Sequence, residues 1–260
     1  MIDLNWIIEQ ENNLTDRARF DLGDNYHLSL DLLKLLQCVK SFSIENEMAH
    51  VFDSQILKGF HLVILNTIRR HNVEAQLILR YTLESLVLFV YSMEHIKEKD
   101  FKIVRNDFQI IDYDDKLLEN AYIHFKKRYP ELSKEIQNMK DFINAFYSHS
   151  NPMASQYNSA IIDGRLKAFV FDTYENSSIR EILLTINFIM IATLKIYKQL
   201  KIDYKNMFYF NDNFENQFHE LLARHDKLFK DSKENYEAED YWMDSIKMRK
   251  VLNKIDGIKK

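Results

Sequence analysis

The stretch Val73-Glu74-Ala75-Gln76-Leu77-Ile78-Leu79-Arg80-Tyr81-Thr82-Leu83-Glu84-Ser85-Leu86-Val87-Leu88-Phe89-Val90 decides the fold class. Leu77, Ile78, Leu79, Leu83, Leu86, Val87, Leu88, Phe89 and Val90 leave a helix over residues 73–96 almost no polar face. A helix that is apolar all round lies inside a domain, covered on every side by other elements. Arg80 and Glu84 interrupt it, four residues apart and therefore on one face. A buried charge must find a partner or it destabilises the fold by several kcal/mol. These two should meet each other or a side chain of a neighbouring helix.

Working outward, residues 177–200 carry Ile182, Leu183, Ile186, Phe188, Ile189, Ile191, Ala192, Leu194 and Ile196, a second nearly all-apolar helix expected to pack beside the first. Leu28, Leu32, Leu35, Leu36 and Val39 mark an amphipathic helix that Asp24 can cap and that runs to about residue 41. Val51, Phe52, Ile56, Leu57, Phe60, Val63, Ile64 and Ile68 mark another over residues 46–71, which Asn72 can stop or the pattern can run through. Two more helices, over 112–129 and 131–146, meet at Pro130, a residue favoured at a first helical position. Ahead of Asp24 only a short segment is expected, docked through Trp6, Ile7 and Ile8.

Four glycines and two prolines in 260 residues are too few for the turns of a sandwich, barrel or α/β fold. The expected class is therefore all-α, a multi-helix bundle. One segment departs from it, near residues 159–172. There Ala160-Ile161-Ile162 and Arg165-Leu166-Lys167-Ala168-Phe169-Val170-Phe171 flank Asp163-Gly164, a hairpin signal. A lone hairpin is marginal in water, so it should lie on the helical body as a flap.

Residues 1–205 thus read as the bundle core with its hairpin, and residues 206–260 as a charged helical extension. In the latter Phe214, Phe218, Leu221, Leu222, His225, Leu228 and Phe229 form one stripe, and acidic residues 231–244 precede basic residues 247–260. This extension could serve as an arm for a protein partner.

A net charge of −4 and a pI near 6.2 give no global attraction to phosphate backbones, so nucleic-acid contact needs a local basic patch. The single cysteine, Cys38, cannot form an internal disulfide and reads as a small buried hydrophobe. The N-terminus lacks the basic and apolar regions of a secretory leader, and no apolar run approaches the ~18 residues that span a bilayer. The expectation is a cytoplasmic protein with no membrane contact. Gly-rich phosphate loops, Cys-x-x-Cys, Gly-x-Ser-x-Gly and His-Glu-x-x-His are absent, which argues against P-loop hydrolysis, thiol redox and the common serine hydrolase plan.

The most distinctive string is Phe142-Ile143-Asn144-Ala145-Phe146-Tyr147-Ser148-His149-Ser150-Asn151-Pro152, where an amphipathic helix ends in hydrogen-bonding side chains. His149 can act there as a general base, or it can anchor the turn while Ser148, Ser150 and Asn151 satisfy terminal carbonyls. Glu47 and His50 form a Glu-x-x-His pair, but di-iron bundles need two such pairs, and Glu215 with His219 has the wrong spacing. No metal and no cofactor is expected, and His50 and His61 read as structural. Arg69, Arg70 and His71 can contact phosphate or simply complement the negative end of a helix.

A buried helix with Arg80-x-x-x-Glu84, followed far downstream by a helix ending in Ser148-His149, resembles the HEPN superfamily over roughly residues 24–200. The resemblance implies an all-α bundle that binds RNA or a nucleotide, in many bacterial members a metal-independent ribonuclease of defence or stress. The signature of that family resembles an Arg, a polar residue and then a His farther along one helix. Here Asn144 stands in the Arg slot ahead of His149, and no Arg precedes a His at the family's spacing. By the resemblance, Arg80 would hold an anionic group, Glu84 would orient Arg80 or His149, and His149 would transfer a proton. Asn144, Ser148 and Asn151 would line the substrate. The residues leave a second class open, a non-enzymatic scaffold that binds a protein partner or its own copy through the hairpin and the C-terminal helices.

Overall fold

Two runs of uninterrupted burial organise the molecule, Leu86 to Val90 and Ile186 to Tyr197. No polar face remains on either, so each must be enclosed by other helices. The computed structural model describes residues 3–41, 47–95, 102–104, 110–112, 115–147, 159–163, 165–172, 175–205 and 208–235. In chain order these form α1 (Leu4–Asp21), α2 (Asp24–Gln37), β1 (Lys40–Ser41), α3 (Glu47–Ile68), α4 (Asn72–Glu94), β2 (Lys102–Val104) and β3 (Ile110–Asp112). They continue with α5 (Asp115–Arg128), α6 (Pro130–Phe146), β4 (Ser159–Ile162), β5 (Arg165–Ala168), α7 (Asn176–Asp203), β6 (Phe208–Tyr209) and α8 (Phe214–Asn235). The fold is an all-α helical bundle, and among the described residues its strands form only antiparallel pairs, β1 with β6, β2 with β3 and β4 with β5.

The most extensive packing joins α3 to α4, and Gly59 is what lets them approach. A methyl group at Gly59 would stand 2.1 Å from Thr82 Oγ1 and 3.0 Å from Thr82 Cβ. α5 and α6 cover other parts of α4. α7 therefore does not lie chiefly beside α4, as its apolar pattern suggests. It packs mainly on α2 and α3, and Tyr197 reaches Phe89 of α4 with ring centroids 5.2 Å apart.

α8 packs on α2 and α7, and Phe214, Phe218 and Leu221 join the common core. Of residues 206–260, the described part through Asn235 thus shares that core. Its stripe is helical and buried because Phe214, Phe218, Leu221 and His225 fall three or four apart on one face. Cys38, just past α2, is free and half-buried rather than buried.

α1 is an 18-residue helix where only a docked segment was expected. Asp3 caps it by accepting from the Asn5 N–H at 3.2 Å. Ala18 is its one fully buried side chain, while Leu4, Trp6, Ile8 and Phe20 are exposed, so no periodic apolar stripe announces it.

The break between α3 and α4 falls at residues 69–71, where Arg70 adopts φ 61°, a left-handed conformation. Asp172, from beyond the hairpin, accepts the Asn72 N–H at 2.6 Å and donates its own N–H to the Arg70 carbonyl at 2.9 Å. A remote carboxylate thus caps the first turn of α4, which otherwise has no side-chain cap. Glu11 of α1 binds Arg69 at 3.2 Å and His71 at 3.0 Å, and Arg70 donates to Asn176 at 2.8 Å. The side chains of Arg69, Arg70 and His71 are therefore engaged in holding α1, α3 and α7 together. The β4–β5 hairpin forms as its Asp-Gly signal predicts, with Asp163 at φ 53° as a tight turn requires.

At the opposite end of α4, Arg128 of α5 bonds both Glu94 of α4 and Asp203 of α7. Its side chain is 9% exposed and that of Asp203 6%. Burial pushes the adjoining Tyr129 hydroxyl up to about 12. Burial holds the His124 imidazole below its ordinary value against the upward pull of Glu94.

Asp53 of α3 accepts a hydrogen bond from the buried Tyr197 hydroxyl at 2.6 Å. Burial raises its carboxyl above the ordinary value, offset only in part by Tyr197 and His50. A carboxyl with a raised folded pKa stabilises the fold below its unfolded value of about 3.9, and that contribution is lost as pH rises through the folded value. Asp53→Asn keeps an acceptor for Tyr197 and removes the loss. The variant is expected to gain on the parent between about pH 4 and pH 7, measured as urea midpoints, whereas a difference constant with pH would contradict it.

Among the described residues, no helix is long and apolar enough to cross a membrane.

Candidate functional site

The seam between α4 and α6 collects the charged residues that interrupt the central helix. Arg80 and Glu84 lie one turn apart on α4, so their side chains share a face. α6 crosses that face because Leu132, Ile136, Met139 and Ile143, at intervals of three and four, are buried. This packing brings Lys140, one residue after Met139, and Asn144 to the α4 charges.

Glu84 is the hub. Its Oε1 lies 2.9 Å from Lys140 Nζ and 3.4 Å from Arg80 Nε, so the closer pairing is with α6 rather than along α4. Lys140 also donates to the Tyr122 hydroxyl of α5 at 2.6 Å and stands 4.2 Å from the centre of that ring. With its side chain 11% exposed, Lys140 is committed to the interior. The Arg80 side chain is 36% exposed, and its Nη1 donates to Asn144 Oδ1 at 2.5 Å. Among the described residues, no hydrogen bond engages Arg80 Nη2.

The burial problem posed by Arg80 and Glu84 is thus solved by two side chains of α6. Two cations face one carboxylate, which leaves the seam with an excess positive charge, and the outward member is a guanidinium held in a fixed plane by two contacts. Such a fork suits a phosphate or carboxylate oxygen.

No family model, curated protein or solved structure matches this chain.

Of the residues singled out in the sequence, Arg80, Glu84 and Asn144 converge here. Ser148, His149 and Asn151 lie outside the described residues, just beyond Tyr147, which ends α6 with its N–H on the Ile143 carbonyl at 2.8 Å. Lys140 and Tyr122 escaped the sequence reading. A lysine on an amphipathic helix ordinarily reads as solvated, and only the i−4 relation of Lys140 to Asn144 on the face packed against α4 could have signalled otherwise.

Other charged clusters lie elsewhere. His61 contacts Gln37 at 2.8 Å and the Leu57 carbonyl at 2.7 Å, a tie between α2 and α3. A cleft of about 190 Å³ between α2 and α8 is lined by Asp31, Lys34, Cys38 and Arg224 among others. Arg224 and Lys34 bind Asp31 there at 2.8 and 3.2 Å, and against the upward push of burial they hold its carboxyl below the ordinary value.

Proposed function

We propose that the α4–α6 seam binds the phosphate of an RNA or a nucleotide, as the HEPN resemblance implies, with Arg80 as the contacting group. The observation that carries this reading is the 2.5 Å contact between Arg80 and Asn144. Asn144 stands where the family signature has its arginine, so a guanidinium delivered from α4 comes to the place of the one missing from α6. Lys140 supports the reading by engaging Glu84, so that Glu84 does not fully neutralise Arg80.

The catalytic form of this reading adds His149 as the group that transfers a proton during endonucleolytic cleavage, with Glu84 positioning Arg80 and with Ser148 and Asn151 beside the substrate. The setting implied by the resemblance is bacterial defence or stress.

Fluorescence anisotropy with a short single-stranded RNA tests binding. Arg80→Ala is expected to weaken it about tenfold and to reduce the slope of log affinity against log salt by about one. Unchanged affinity and slope would remove Arg80 from the reading. Incubation with total RNA tests cleavage, for which His149→Ala should abolish degradation without lowering the melting temperature. Equal degradation by variant and parent removes the catalytic form. A stable protein partner on pull-down, without any RNA shift, would assign the chain instead to the interaction class.

A further inference from the structure

α4 ends at Glu94 with His95 as its C-cap, and α5 carries His124 on the face that meets this end. One donor atom from each of the three side chains lies within 4.8 Å of the others. His95 Nε2 is 3.3 Å from His124 Nδ1, and Glu94 Oε2 is 3.0 Å from His124 Nε2. The second contact is short but lacks the direction of a hydrogen bond, and His124 Nε2 is buried without a hydrogen-bonding partner. The two short contacts fall on opposite nitrogens of the His124 ring. Four ligands ~2.1 Å from a tetrahedral metal stand ~3.4 Å from one another, so gathering donors now within 4.8 Å around one ion on His124 Nε2 needs a rotation of His95 away from the Nδ1 side. His95 can supply it, because it is exposed at the end of its helix.

The surroundings fix the donors and favour a cation. Arg128 holds Glu94 through Oε1, which leaves Oε2 directed to His124 Nε2. The His95 and His124 rings stand nearly perpendicular with centroids 4.8 Å apart, and Tyr91 packs on both, at 4.6 and 5.8 Å. Glu94 and Asp203 share the single guanidinium of Arg128, which leaves one carboxylate charge in excess among the three. The carbonyl end of α4 adds its partial negative charge at the same place. Lys127, on α5, opposes this from farther along the helix.

We propose that Glu94, His95 and His124 form a binding site for a borderline divalent transition metal ion, with Zn2+ as its type. Two imidazoles and one carboxylate are donors suited to Zn2+, and to Fe2+, Ni2+ or Cu2+, rather than to the oxygen-seeking Mg2+ or Ca2+. Three protein donors leave a coordination position for water or a substrate atom. Glu94 lies ten residues along α4 from Glu84, about 15 Å at the helical rise, so this site is separate from the α4–α6 seam. Its failure or success leaves the RNA reading untouched.

The test is titration of the metal-free, full-length chain with Zn2+ against a chromogenic chelator, followed by Co2+ substitution, in which the visible absorption reports imidazole coordination. The expected result is about one Zn2+ per chain, weakened tenfold or more by His95→Ala and by His124→Ala and unchanged by His219→Ala at an exposed position on α8. Zn2+ should also raise the melting temperature of the parent but not of His95→Ala. Should His124→Ala unfold, His95→Ala decides alone, since His95 sits at an exposed helix end. Substoichiometric binding, or equal binding by His95→Ala and the parent, overturns the proposal.

Discussion

Replacing Arg128 with methionine is expected to lower stability by about 3–5 kcal/mol, a large part of the margin of an ordinary domain. The guanidinium joins the ends of three helices: α5, which carries it, α4 through Glu94, and α7 through Asp203. With Arg128 and Asp203 nearly enclosed, truncating the cation strands a buried carboxylate beside a second, partly exposed one. The loss arises less from the missing attraction than from the uncompensated charge left behind. Arg128→Met combined with Asp203→Asn should therefore be more stable than Arg128→Met alone. Urea unfolding at neutral pH measures all three, and a midpoint for Arg128→Met equal to that of the parent would show that the network holds nothing.

Gly59→Ala is expected to destabilise, although alanine is the better helix former by about 1 kcal/mol. The added methyl would stand 2.1 Å from Thr82 Oγ1, far inside contact distance. That hydroxyl donates to the Ile78 carbonyl at 2.8 Å, and Thr82 is buried and β-branched, so few rotamers are open to it. Overpacking of this kind typically costs about 1–3 kcal/mol and outweighs the propensity gain. Gly59→Val should cost more. Thr82→Ala in the Gly59→Ala background should recover part of the loss, a coupling expected only of residues in contact. An alanine variant more stable than the parent would mean that α3 and α4 are not held this close.

Both helices that organise the core are legible in the sequence, because residues 86–90 and 186–196 are largely apolar, although the first half of α4, expected to be covered on every side, exposes Leu77 and Tyr81. The Asp163-Gly164 turn is legible for a local reason, since few residues accept positive φ. That Arg80 and Glu84 need partners also followed from their setting, but which partners did not. Lys140 and Asn144 come from another helix, and their approach depends on how α6 crosses α4.

Long-range relations were invisible for the same reason. Asp172 capping α4, Arg128 bridging Glu94 to Asp203, and the meeting of His95 with His124 all join residues with no periodic relation along the chain. α1 was missed because Leu4, Trp6, Ile8 and Phe20 face outward while its inward face mixes Ile7, Leu14 and Ala18 with Gln10, Glu11 and Thr15, which blurs the stripe by which a helix is ordinarily read. The mismatch of α7 with its expected neighbour has a related origin: an apolar run says that a helix is enclosed, and nothing about which helices enclose it.

The pairing of β1 with β6 and the seating of α2 beneath α7 and α8 impose an order on synthesis. Leu28, Leu32, Leu35 and Leu36 leave the ribosome before α7 and α8, which help to shield them and are translated on the order of ten seconds later. Throughout that interval the nascent chain carries an oily strip open to water and to other chains. Biogenesis would then depend on a holdase, or on the pace of elongation, more than the finished molecule suggests.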